Sequence, residues 1–115
     1  MSDVISVFKK AKRDPAWSFE GERSHNLLTH GYHRYPAKFV PQLVGKILDE
    51  YKLSKSDLVC DPFAGCGTTL VEAKARGLNS VGVDVNPVAQ LITRAKTRPI
   101  EPKSLDESVT RVRRK

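Results

Sequence analysis

The chain has 115 residues, of which 29% are charged and 39% hydrophobic, and a formal net charge of +7. That length holds at most one small domain, whose core is too modest to guarantee independent folding. No apolar run is long enough to span a bilayer, and the N-terminus lacks the charged-then-apolar layout of a secretory signal, so a cytoplasmic protein with no membrane partner is expected.

Residues 1–29 are polar, interrupted by Pro15 and Gly21, and carry no sustained period; they read as an arm, with a short helix near Val4 to Lys12. From Val40 the pattern changes. Val40, Leu43, Val44, Ile47, Leu48 and Tyr51 recur at the spacing of one helical face, and Pro41 suits the first turn, where a missing N–H costs nothing. Ser54 to Asp57 is a polar turn. Leu58-Val59-Cys60 is a short apolar run closed by Asp61-Pro62, fit for a buried parallel strand. After Gly65-Cys66-Gly67, Thr68 or Thr69 can cap a helix that carries Leu70, Val71, Ala73 and Ala75 and stops at Gly77. Ser80 to Val85 is a second β-rich run. Asn86-Pro87 then reads as an N-cap followed by a first-turn proline, with Val88, Leu91, Ile92 and Ala95 as the apolar stripe of the next helix.

The segment after that helix is basic. From Thr93 to Lys115 there are eight Lys or Arg against three acids, a net +5 of the +7. Such a tract can follow a phosphate backbone, or it can be a solvated tail; charge alone does not choose. Cys60 and Cys66 lack the paired spacing of a zinc site, and His25, His30 and His33 have no second cluster to complete one, so no metal is expected.

Alternation of strand, Gly-rich turn, helix, strand and helix predicts an α/β fold with parallel strands. Open sheets of this kind bind ligands at the carboxyl ends of their strands. Gly65 and Gly67 permit backbone angles that a Cβ would block, and the next helix presents free N–H groups suited to an anion. Asp84, 23 positions after Asp61, ends the second strand, where an acid can accept both ribose hydroxyls of a nucleoside. Two strands alone make an unfinished sheet, since parallel sheets are normally covered on both faces.

The run Asp61-Pro62-Phe63-Ala64-Gly65-Cys66-Gly67-Thr68-Thr69 resembles the cofactor loop of DNA methyltransferases that modify exocyclic amino groups, cytosine N4 or adenine N6. Val83-Asp84-Val85-Asn86-Pro87 and the block Thr29 to Pro41, with His33-Arg34-Tyr35-Pro36-Ala37-Lys38-Phe39, are similar to two further segments of that family. The resemblance covers roughly residues 25–97. It implies a Rossmann-like methyltransferase fold, present here as the N-terminal helix and the first two parallel strands with their helices. It also implies binding of S-adenosyl-L-methionine, with cofactor contacts at Phe39, Asp61, Phe63, Ala64, Gly65, Gly67, Thr68, Asp84, Asn86 and Pro87. Local alternatives stand beside these roles: Asp61 can simply order its turn, Phe39 can be core, and Lys38 can be a surface charge. Cys66 departs from the family, which most often has serine there, and a thiol is the poorer donor.

The family's catalytic motif, a polar residue followed by Pro-Pro and an aromatic, has no counterpart, because the sequence contains no Pro-Pro dipeptide. A flipped base needs such stacking and edge hydrogen bonds. The expectation is therefore an arm (1–29), a cofactor-binding part (30–97) and a basic tail (98–115), inactive alone. DNA is the expected partner, and a second polypeptide, or the rest of a truncated enzyme, would supply the catalytic half. An RNA guanosine-N2 methyltransferase fragment and a non-enzymatic nucleic-acid-binding protein are the alternatives.

Overall fold

The computed structural model describes residues 11–19, 27–36 and 38–114. A single 3-10 turn, Pro15–Trp17, is capped by Asp14. The helix expected at Val4 to Lys12 lies outside the described residues except for its last two, which are not helical.

Helix α1 (Pro41–Glu50) begins with its proline in the first turn, as the sequence requires. Val44 and Leu48 are buried, with Pro41 and Gly45 beside them, whereas Ile47 is partly exposed and Tyr51 largely so. The buried stripe is thus narrower than the periodicity suggests. Strand β1 (Leu58–Asp61) runs parallel to β2 (Asn79–Gly82) in a two-stranded sheet, with Cys60 opposite Val81 and Asp61 opposite Gly82. The second strand ends earlier than the apolar run implies, because β1 turns away after Asp61: Phe63 N, the next donor the ladder needs, is taken by Asp61 Oδ1. The chains stay tied nonetheless: Val83 N donates to Asp61 O and Ala64 N donates to Val83 O, each at 2.9 Å.

Between the strands lies α2 (Thr68–Ala75), which ends before Gly77 at φ 70°, the left-handed stop expected there. Its N-cap is not a threonine. Gly67, at φ 80°, caps the helix without a side-chain bond, and Thr68 is its first residue. The tight left-handed turn places both threonines inside the helix. Helix α3 (Pro87–Thr97) starts as read, with Asn86 Oδ1 accepting from Val88 N at 2.9 Å. Most of its apolar stripe, however, faces outward: Val88, Leu91 and Ala95 are exposed and Ile92 is half-buried, while Ala89, Thr93 and Lys96 are buried. The buried side is the one with small or slender residues, because α3 lies close against α2 and the glycine loop. Finally, the stretch read as a basic tail is helical from Pro102 to Arg113 (α4), with none of its residues buried.

The core is small. Val44, Leu48 and Ala73 pack with Leu53, Val59 and Leu78, joining α1 and α2 to one face of the sheet. The opposite face, carrying Leu58, Cys60 and Val81, is exposed. This is a partial α/β layer in which only one side of a parallel sheet is covered among the described residues.

Candidate functional site

The site grows from the carboxyl end of β1. Asp61 Oδ1 accepts from Phe63 N at 3.0 Å, folding the chain sharply after the strand. Phe63 is thereby turned outward and is 85% exposed, while Ala64 is buried behind it. Gly65 (φ 50°) and Gly67 (φ 80°) carry the backbone through left-handed conformations into α2. Gly67 N closes the turn on Ala64 O at 2.8 Å. Thr68 is buried at the start of the helix.

Asp84 ties the second strand to this loop. Its Oδ2 accepts from Gly65 N and its Oδ1 from Asn86 N, both at 2.8 Å. A carboxylate offers about four lone-pair positions, so each oxygen retains capacity for a hydroxyl donor. The loop backbone and the strand-end acid are therefore one hydrogen-bonded unit. Asn86 and Pro87 lie exposed at the head of α3, where the asparagine side chain is engaged as the cap. Beside Asp84 opens a hollow of about 370 Å³ bounded by Ala64, Gly65, Leu70 and Thr93; of the ten expected cofactor residues, only Ala64, Gly65 and Asp84 line it, and its size is within the range of about 300–1,000 Å³ typical of small-molecule sites. A larger hollow of about 930 Å³ lies along α1, away from the strand ends and the glycines; loop chemistry, not size, picks out the smaller one.

The block before α1 reaches this loop. A Cβ placed on Gly65 would lie 3.6 Å from Tyr35 Cε1, so the tyrosine ring stands directly over the glycine turn. Phe39 is 59% exposed and is not part of the core. Lys38 Nζ donates to His30 O at 3.1 Å, a structural task that sequence reading did not foresee. His33 is exposed, and Trp17 stacks under Lys46 Nζ at 4.3 Å, anchoring the described part of the arm to α1. Cys66 is only 2% exposed, so its thiol fills space as a small apolar group.

Two contacts central to this geometry left no sequence signal. Thr93 Oγ1 donates to Gly65 O at 3.0 Å, docking α3 on the loop. His30, 1% exposed, shares a 2.8 Å hydrogen bond with Glu72 Oε1 on α2. Burial pushes the His30 pKa below its ordinary value, against the opposing pull of Glu72. An unfolded chain protonates a histidine near pH ~6.5, whereas this folded one resists, so stability is complete above that pH and falls as pH drops below it. Thermal melts between about pH 8 and 5 should show a declining Tm, and His30→Gln should flatten the decline; an unchanged slope in the variant would assign it to other groups.

Among the described residues no cluster of three His, Cys, Asp or Glu could hold a metal, and no helix is long and apolar enough to cross a membrane.

Comparison with known proteins agrees with the loop. The sequence model of a DNA methylase family matches residues 4–94. The type II methyltransferase M.MvaI of Kocuria varians is 44% identical over 85 residues, covering 72% of this chain and 19% of that protein. M.MjaII of Methanocaldococcus jannaschii is 37% identical over 92 residues, or 80% and 17% of the respective lengths. M.BsoBI of Geobacillus stearothermophilus is 36% identical over 87 residues, or 76% and 15%. The chain thus spans less than a fifth of each of these relatives. No solved structure matches it. With the glycine loop, the strand-end acid and the preceding block all lying within the matched residues, the chain belongs to the DNA methylase family.

Proposed function

We propose that this chain is the S-adenosylmethionine-binding part of a site-specific DNA methyltransferase acting on an exocyclic amino group, cytosine N4 or adenine N6, within restriction-modification in the cytoplasm. The observation that carries the reading is the joining of Asp84 to Gly65 N, which puts an acid just past the second strand beside a left-handed glycine turn at a helix N-terminus. In this reading Asp84 receives the ribose hydroxyls. The loop from Asp61 to Thr68 cradles the methionine part, Asn86 and Pro87 border the adenine, and Phe39 approaches from the block before α1. When bound, the cofactor supplies an electrophilic methyl group; the chain's own residues hold and orient it. The match to a DNA methylase family favours a DNA target over an RNA guanosine.

The catalytic half belongs to polypeptide beyond these residues, whether a continuation or a second chain, and completes the Rossmann-like sheet. Two observations support that: no Pro-Pro dipeptide is present, and among the described residues the sheet keeps an uncovered apolar face and two unpaired edges. Calorimetric titration with S-adenosylmethionine should reveal binding, while labelled methyl transfer to DNA by the chain alone should be undetectable. Absence of binding overturns the cofactor assignment. Turnover by the purified chain overturns its incompleteness.

A further inference from the structure

The residues that hold the block before α1 against the core form a continuous polar chain. His30 sits on α2 through Glu72 Oε1 at 2.8 Å. The second oxygen, Glu72 Oε2, accepts from Arg76 at 2.6 Å. Arg76 then grips Asp49 of α1 with two nitrogens, at 2.7 and 3.0 Å. Gly45 makes this crossing possible, since a Cβ there would lie 2.7 Å from an Arg76 nitrogen. Arg76 fixes Glu72 from one side, so the carboxylate is oriented before His30 meets it. A second tether, Thr29 Oγ1 to Lys96 O at 3.2 Å, ties the same block to α3. Lys38 closes the block on itself through His30 O.

His30 is fully buried, yet its Nδ1 has no hydrogen-bond partner among the described residues, so its polar link to the core runs through Glu72 alone. A buried polar group held at one point is costly unless that point holds. Helices α1 and α2 already pack through their own apolar residues, so the pair's distinctive effect falls on the segment that follows His30. Five residues on, Tyr35 covers Gly65.

We propose that the His30–Glu72 pair is a latch that seats residues 30–36, Tyr35 above all, over the glycine loop, making His30 and Glu72 positioning residues for the cofactor. The cofactor half of this inference rests on the function proposed above; the seating half does not. When the latch is broken, the block samples lifted states, and the apparent affinity for S-adenosylmethionine falls by the fraction of molecules still seated.

Amide hydrogen exchange on the full chain without ligand tests the seating. In His30→Ala, amides of residues 31–35 should exchange faster while those of α2 and β1 keep their wild-type protection. His30→Gln, whose amide can still donate to Glu72, should restore slow exchange. Thr29→Val, nearly isosteric and lacking the second tether, should loosen the same amides to a smaller degree and serves if His30→Ala does not fold. Calorimetry then tests the positioning: a latch leaving about one molecule in ten seated weakens S-adenosylmethionine binding by about tenfold, with recovery in His30→Gln. Unchanged exchange at residues 31–35, or loosening spread evenly over the chain, overturns the latch. Faster exchange with unaltered affinity overturns its positioning role. If wild type itself binds no S-adenosylmethionine, the cofactor reading fails, and the exchange result still decides the seating.

Discussion

Asp84→Ala should lower the affinity for S-adenosylmethionine by about a hundredfold or more, from the loss of two hydrogen bonds to a charged acceptor at about 1.5–3 kcal/mol each. The loss has a second source. Asp84 also accepts from Gly65 N and Asn86 N, so alanine releases the loop and the head of α3 as well as the ribose. Asp84→Asn separates the two. It keeps one acceptor oxygen and can preserve one backbone bond, but its NH₂ cannot accept from a hydroxyl. An intermediate loss of about tenfold, near 1.4 kcal/mol, is expected for asparagine. Calorimetry on both variants, with thermal melts as a folding control, measures the series. Equal affinities in wild type and Asp84→Ala would remove Asp84 from the site.

Features legible in the sequence were those fixed within a few residues. Asn86-Pro87 starts α3 because the cap and the proline act locally, and Gly77 stops α2 for the same reason. Reading failed where a distant surface decides. The stripe Val88, Leu91, Ile92 and Ala95 has helical spacing, but the loop and α2 select the face with Ala89 and Thr93, leaving only Ile92 of the stripe half-buried, since small side chains permit closer approach. Thr93 could not be singled out because its partner, Gly65, lies 28 positions away. The His30–Glu72 contact spans 42 positions and follows no motif spacing. Within the site, Asp61 orders its own turn through Phe63 N, the local alternative already open to it, and a cofactor contact would be added to that task.

The second large effect falls on stability rather than binding. Gly67→Ala should destabilise the chain by roughly 2–5 kcal/mol, read as a lowered urea midpoint without any ligand present. One part is conformational, since φ is 80° and a side chain in the left-handed region costs about 1–2 kcal/mol. The other is steric. A Cβ on Gly67 would lie 2.7 Å from both Cγ2 and Oγ1 of Thr93, and overpacking of this kind costs about 1–3 kcal/mol. Thr93 has no easy retreat: it is β-branched, buried, and committed through Oγ1 to Gly65 O. Thr93→Ala in the Gly67→Ala background should recover the steric part and leave the conformational one, so the two substitutions should couple strongly. A Gly67→Ala chain that unfolds like wild type would sink this account. The expected loss without cofactor also divides the labour of the two glycines. Gly67 is required by the close packing of α3, whereas Gly65, beneath Tyr35, joins α3 through its carbonyl and Asp84 through its N–H.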